Sequence, residues 1–449
     1  MPPLRETQFA TITLSRILLP CTLALATALP AAGAEGPLAS IDRIYPDLEA
    51  LYIDLHRTPE LSLQEEKTAA KMAARLRDLG FAVTERIGGH GVVGLLRNGD
   101  GPTVMLRTDL DGLPIEEKTG LEYRSVATGV GGDGGSVPVM HACGHDVHMT
   151  AWIGAATLLA GARDLWSGTL MMVGQPAEEI GQGAAAMLDD GLFSRFPRPD
   201  YAFAIHDNAN LPAGRIGYTP GAALASADSV DIEIYGKGGH GAYPHTTIDP
   251  IVIGARIVVA LQTIVAREIN PLDPGVITVG SFHAGAKHNI IPDDAHLQLT
   301  VRAHSDAVRA HLLSGIERIA RAEAEAARAP QPPLVTASQG TPPTINDADL
   351  SRRLARRMAS DLGADRVVEL PPVMGGEDFS MFGRAGVKAA IFWVGAVEPQ
   401  RYDEAQAAGT PLPSLHSPLF APDREPTLRT ATAAMTLAAL ELFGAVPGK

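Results

Sequence analysis

Apolar residues first recur at helical spacing at Ile44, Leu48, Leu51, Ile53 and Leu55, then through residues 65–79, with Gly80 as a stop. Helices covering one face of a sheet are therefore predicted over 39–80. Short apolar runs at 91–96 and 103–106 read as strands, and the second leads straight into Arg107-Thr108-Asp109-Leu110-Asp111. The pattern returns at 168–174 (GTLMMVG), whose end delivers Gln175-Pro176-Ala177-Glu178-Glu179, and at 200–205 (DYAFAI), whose end delivers His206. Three strands thus end in acids or imidazoles. In an open α/β sheet the ligand crevice lies outside the carboxyl ends of the strands, so these side chains are expected to converge. Residues 129–136 (GVGGDGGS) read as a flexible loop, lacking the Lys-Ser/Thr ending and the preceding strand of a phosphate loop. A helix is predicted over 151–162.

From about Ala222 the character changes. Strand 228–235, helix 250–268, strands 276–282 and 296–302, helix 306–327 and a strand near Leu334 follow in the order of a ferredoxin-like βαββαβ unit. Its boundaries fall in Gly/Pro-rich text at 218–221 and 329–333. After Asn346 the α/β pattern resumes with helix 349–362, strand 389–394 and a last helix over 427–443. The expected organisation is a mixed-sheet α/β catalytic domain in two parts, 35–221 and 338–449, interrupted by an inserted lid or dimerisation domain at 222–337.

Residues 1–34 have the form of a secretory leader. Arg5 and Arg16 precede an apolar stretch at 17–29 that is too short for a stable bilayer span, and Ala32-Gly33-Ala34 fits cleavage after Ala34. The mature protein is expected in the periplasm or outside the cell, with no membrane attachment. Of two cysteines, Cys21 lies in the leader; Cys143 alone remains, so it forms no internal disulfide and is buried, reactive or a ligand. With 449 residues, 45% hydrophobic and 20% charged, the chain has ample core for a globular enzyme. A formal charge of −14 without a basic run argues against nucleic acid or an anionic membrane surface as partner.

Residues 140–150, MHACGHDVHMT, pack Cys143, His145, Asp146 and His148 into six positions. A thiol and an imidazole two residues apart offer metal ligands from one turn, and Asp146 is expected to hold a ligand imidazole in its tautomer. Two ligands do not make a site, and a helix start with packed histidines is the plain alternative. Convergence at the strand ends adds Glu179 and His206. Neighbours in an irregular loop point apart, so Glu179 can ligate while Glu178 carries a proton. Two divalent cations held close together polarise a carbonyl and activate a water between them. Cys143 as the nucleophile of a thiol hydrolase is the rival chemistry; His145 and the glutamate doublet favour a metal. His141 and His148 are expected to be packed or hydrogen-bonded supports.

MHACGHDVHMT, GQPAEE at 174–179, LRTDLDGLPI at 106–115, GKGGHGAYPH at 236–245, HNIIP at 288–292, GGEDF at 375–379 and HSPLF at 416–420 together resemble the hippurate hydrolase and indoleacetyl-amino-acid hydrolase branch of the metal-dependent amidohydrolase and carboxypeptidase family. Aminoacylase and carboxypeptidase G are more distant kin. The resemblance spans nearly the whole mature chain, in order. It implies a dinuclear-metal aminopeptidase-like fold and two divalent ions, Mn2+ or Zn2+, held by Cys143, His145, Glu179, His206 and His416, with Cys143 as the bridge. It implies Glu178 as general base and acid, Asp111 as the carboxylate orienting a ligand histidine, and His240 as an oxyanion-stabilising residue reaching the site from a partner subunit or on domain closure. Asn289 and Arg302 resemble a pair that grips the substrate's free carboxylate. Where distant relatives carry His-x-Asp, this chain has Asp109-x-Asp111, so Asp109 is not expected to bind metal. The implied activity is hydrolysis of N-acyl or N-aroyl amino acids by a homodimer of such subunits; a dipeptidase or carboxypeptidase on the same scaffold, and a non-catalytic binding protein retaining the fold, are the alternatives.

Overall fold

Helix Ile41–Arg57 buries Tyr45, Leu48, Leu51, Tyr52 and Leu55 on one face, and helix Glu66–Asp78 buries Ala69, Met72, Ala73 and Leu76. Helix His145–Gly161 is buried along nearly all of its length and on every side, so it is a core helix. It packs against Ile41–Arg57 and the C-terminal helix Arg424–Phe443. Gly154 makes the approach possible: a Cβ there would stand 2.7 Å from Thr432. Trp152 on this helix donates its indole N–H to the Leu106 carbonyl at 2.9 Å, fixing helix to strand. The computed structural model describes residues 8, 10, 37–338 and 340–444. The leader expected over 1–34 lies, apart from residues 8 and 10, outside the described residues, as does Cys21.

These helices cover one face of an eight-stranded mixed sheet. Its order is Ala82–Ile87, Gly91–Asn98, Gly168–Gln175, Thr103–Asp109, Tyr201–Pro212, Lys388–Val397, Ile216–Tyr218, Val367–Glu369. The four central strands run parallel, so their carboxyl ends share one edge. A smaller core around Met105, Met171, Met187, Leu192, Phe379 and Phe382 fills the opposite face.

The segment from Asp228 builds a separate four-stranded antiparallel sheet, ordered Gly275–Ala284, Asp294–Ala303, Asp228–Tyr235, Leu334–Ala337. Helices Pro250–Thr263 and Asp306–Ala326 cross it, and Ile232, Ile234, Ile257, Leu297, Leu312 and Ile316 form its own core. This is the ferredoxin-like arrangement.

Several elements depart from the sequence expectations. The 129–136 stretch is held as the tip of a hairpin, Thr128–Val130 with Ser136–Pro138, and Gln64 clamps its base through both the Val130 carbonyl (2.8 Å) and amide (3.1 Å). The strand carrying His206 does not end there but continues to Pro212. Its pairing with the Thr103–Asp109 strand stops at Ala204, and this frees the His206 side to face the crevice. The third helix starts at His145, six residues before the expected Ala151, because its first turns are built from buried polar residues. Strand Ala82–Ile87 and helix Pro399–Ala408 have no counterpart in the sequence reading.

Candidate metal centre

Gly144 sets the ligand turn. Its φ of +81° is the left-handed region, and a Cβ would stand 2.3 Å from an Asp207 carboxylate oxygen, so only glycine fits between Cys143 and His145. His416 arrives from 273 residues beyond Cys143 on a loop whose backbone is tied to this turn: its N–H donates to the Ala142 carbonyl at 2.8 Å. His416 itself has φ +64°, a strained value for a non-glycine residue.

The five side chains Cys143, His145, Glu179, His206 and His416 meet at the shared strand edge. The Cys143 sulfur is 3.5 Å from His206 Nε2 and 3.3 Å from His416 Nε2. His416 Nε2 is 3.4 Å from Glu179 Oε2, and His145 Nε2 is 3.7 Å from Glu179 Oε1. Two atoms each about 2.1 Å from a tetrahedral ion stand about 3.4 Å apart, so these separations are those of ligands sharing an ion. Buried His145 Nε2 and Glu179 Oε1 have no hydrogen-bond partner among the described residues, another mark of a metal-binding set. Cys143, His145 and His206 form one compact triad, Cys143, Glu179 and His416 a second, and Cys143 belongs to both.

Two of the three candidate ligand imidazoles are held in the same tautomer by backbone carbonyls. His145 Nδ1–H donates to the Asp111 carbonyl and His206 Nδ1–H to the Asp207 carbonyl, each at 2.8 Å, leaving both Nε2 atoms directed at the cluster. The Asp111 carboxylate stands further off, at 3.4 Å from His145, and instead accepts from Ser62 Oγ and the Glu179 amide. Asp146, expected to steady a ligand histidine, does not: its carboxylate binds His56 Nδ1 at 2.6 Å, because it faces back into the helix layer. His148 takes the Asp207 amide on Nε2 and donates from Nδ1 to Asp109. His141 is buried with neither ring nitrogen hydrogen-bonded to the described residues.

Below the ligands lies a fully buried Arg107, bound to Gln175 (2.9 Å), Asp109 (2.8 Å), Glu377 (2.8 Å) and Asp378 (3.2 Å). Both Asp109 oxygens are thereby committed, one to Arg107 and one to His148. Burial, then the charges of Glu377 and Glu179, push the Glu178 carboxyl well above its ordinary range. Burial raises Glu179 to about 8, with Asp111 and Asp109 adding to it against the pull of His145. A divalent cation would relieve buried acids crowded in this way, and Cys143, which burial also pushes up, would ionise on binding one.

His56 supports the ligand helix from behind. It lies between Asp146 and Glu117 (3.2 Å), and although burial opposes its charge, the hydrogen bonds and charges of both carboxylates raise it to about 9. A group raised above its unfolded value near 6.5 stabilises fully below that pH and loses the contribution as pH climbs through about 9. His56→Gln is therefore expected to lower the unfolding free energy by about 3 kcal/mol near pH 6.5. Urea unfolding from pH 6.5 to 9.5 measures this, and a mutant deficit that does not shrink with rising pH contradicts it.

A sequence model of the peptidase family M20/M25/M40 matches residues 105–411. The chain belongs to this family. The hippurate hydrolase of Campylobacter jejuni is 37% identical over 342 residues, 75% of this chain and 85% of that protein. Thermostable carboxypeptidase 1 of Saccharolobus solfataricus is 39% identical over 339 residues, 73% of this chain and 80% of that protein. The crystal structure of YxeP from Bacillus subtilis, a dinuclear metal-binding M20 peptidase, matches with a TM-score of 0.70 at 28% identity, covering 90% of this chain and 98% of that one. The protein is thus an M20 hydrolase, of the amidohydrolase and carboxypeptidase kind, on the fold of dinuclear metal peptidases.

In this M20 chain the cluster opens on a cleft of about 1520 Å³ between the large sheet and the inserted unit. Arg302 lines it; Asn289 and His240 do not. The latter two sit together on a two-stranded ribbon, Gly239–His240 with Ile290–Ile291, where the Gly241 amide binds the Asn289 carbonyl at 2.8 Å. Sequence reasoning missed His56, Glu65, Arg107 and Glu377 as parts of the site. Arg107, a charge closing an apolar strand, and Glu377, inside the GGEDF stretch, carried a local signal.

Proposed function

We propose that the protein hydrolyses the amide bond of N-acyl or N-aroyl amino acids of the hippurate type. The observation that carries this reading is one cleft holding both the ligand cluster and an arginine free for a carboxylate. Three arginines line that cleft. Arg309 is bound to Asp228 (2.6 Å) and Arg384 to Asp306, whereas Arg302 has no carboxylate partner among the described residues and hydrogen-bonds only Thr300. A planar guanidinium of this kind suits the free carboxylate of an amino acid.

Cys143, His145, Glu179, His206 and His416 would hold two divalent ions with Cys143 shared between them, Zn2+ fitting the thiolate and imidazoles and Mn2+ the carboxylate. Such ions, when bound, supply Lewis acidity to the scissile carbonyl and acidify water. Glu178, buried and not needed as a ligand, takes the proton from the attacking water and returns it to the leaving nitrogen. Its raised affinity for protons suits the second half of that task. Arg302 fixes the carboxylate end, so that the amide lies over the cluster.

A second subunit completes the site in this reading. His240 and Asn289 are displaced from their own cleft on an exposed ribbon. Beside them the inserted unit exposes Ile251, Val252, Val259 and Phe282, an apolar face suited to a second copy, which would present His240 to the oxyanion. In this reading the leader-like residues 1–34 would direct export, and a mature N-terminus at Glu35 is the expected result of sequencing the exported protein.

The test is a panel of hippurate, acetyl- and indoleacetyl-amino acids and dipeptides, each with its carboxamide analogue. Arg302→Ala is expected to lower kcat/KM for the free acids by about 100-fold, the loss of one charge-assisted bidentate contact of about 3 kcal/mol. The amides should change little. Equal losses on acid and amide remove the carboxylate grip, and dipeptides hydrolysed faster than every acyl substrate turn the assignment to a dipeptidase.

A further inference from the structure

The two glutamates at the centre of the proposed chemistry stand on a strained turn. Ala177 has φ +52°, a left-handed conformation that costs a non-glycine residue about 1 kcal/mol or more. Its carbonyl accepts the amides of Gln182 (3.1 Å) and Gly183 (3.2 Å), closing the turn from one side. The amides on either side of Glu178 are captured from elsewhere. The Ala177 N–H donates to Glu65 Oε1 at 2.8 Å, and the Glu179 N–H donates to Asp111 Oδ2 at 3.0 Å. Ser62 Oγ holds that same Asp111 oxygen at 2.6 Å. Ser62 and Glu65 come from one short segment ahead of helix Glu66–Asp78, more than 100 residues from the turn.

Glu65 is wholly buried, and its second oxygen, Oε2, has no hydrogen-bond partner among the described residues. A carboxylate kept in that state is costly, so the fold retains it against its own stability. Across the fold, its side chain accepts from the peptide that orients Glu178.

We propose that Glu65 is a positioning residue for the catalytic turn: with Asp111 it holds the Ala177 peptide left-handed, which separates Glu178 from Glu179 and aims each at its task. The inference rests on Glu178 being the proton carrier. Small misplacements of such a group are expensive in rate, about 100-fold for about 1 Å.

The test is a cycle of four proteins. Glu65→Leu, which fills the site with an apolar side chain and removes the acceptor, should lower hippurate kcat by about 10- to 100-fold while KM moves by less than about threefold. Glu65→Gln, whose amide oxygen still accepts the Ala177 N–H, should stay within about fivefold of wild type. Ala177→Gly alone should be near neutral, because glycine adopts positive φ freely; added to Glu65→Leu it should recover about tenfold of the lost kcat. A merely structural role would give no such rescue, so its failure, or equal losses in the Gln and Leu variants, overturns the proposal. Should Glu65→Leu not fold, hydrogen exchange of the native protein decides instead: slow exchange at Ala177 and Glu179 is expected, and exchange at the rate of an open turn overturns it. Glu178→Gln measured alongside separates the two levels: if it remains active, the proton-carrier reading fails first; if it is dead while Glu65→Leu is fully active, only the positioning role fails.

Discussion

Glu178→Gln is expected to cut hippurate turnover by about 1000-fold while the protein still binds its full complement of metal, since general acid–base catalysis contributes about 100- to 10,000-fold. The amide is isosteric, so the Ala177 turn and its hydrogen bonds to Glu65 and Asp111 are undisturbed. Glu179, one residue on, remains beside His145 and His416 as before. What is lost is a proton acceptor in a site where burial and the neighbouring Glu377 and Glu179 make the carboxyl hold protons well above its ordinary range. The effect should fall on kcat and kcat/KM alike, the pattern of a contact made only in the transition state. Metal analysis and steady-state kinetics on the same preparation check both halves. Turnover within about tenfold of wild type would move the proton to another group, and Glu377 is the nearest candidate by burial and place.

Cys143→Ser carries the other large effect, and it acts on the ions instead. The sulfur is the atom common to both ligand triads, 3.5 Å from His206 and 3.3 Å from His416. A serine hydroxyl does not ionise in that setting, so bound metal should fall from two ions per chain to one or none. Activity should drop by at least about 1000-fold, since the ions' Lewis acidity contributes several kcal/mol. The thiol-hydrolase alternative predicts loss of activity with metal binding intact. Burial argues against it, because the thiol is pushed well above its ordinary value and a protonated thiol is a poor nucleophile.

Much of this candidate site was legible in the chain because Cys143, His145, Glu179 and His206 follow strong local patterns, whereas His416 came only from the family resemblance. The GTLMMVG run is buried at every position, and its end places Glu178 and Glu179 without ambiguity. The insert was equally clear from its alternating strands and amphipathic helices, as in Asp294–Ala303, where buried and exposed positions alternate. Strand Ala82–Ile87 escaped because it is an edge strand, mostly half-exposed, without an apolar run. The start of helix His145–Gly161 escaped because function occupies it: its first turn buries His145, Asp146 and His148, residues that a periodicity argument counts as polar.

The supporting shell was illegible for a different reason. Arg107 meets Glu377 across 270 positions, Glu65 meets Ala177 across 112, and His56 meets Asp146 across 90. Each is a charged residue whose partner is fixed only by the finished fold. Asp146 illustrates the error this produces: nearness in sequence to His145 suggested that it serves that ligand, whereas the helix turns it toward His56.

The most direct test of the central claim is to strip the purified protein with a chelator and titrate Mn2+ or Zn2+ back while following hippurate turnover and metal bound per chain. Activity should vanish on stripping and return with the added ion, reaching its plateau at two ions per chain. Full turnover in the stripped protein, abolished by thiol alkylation alone, would contradict it.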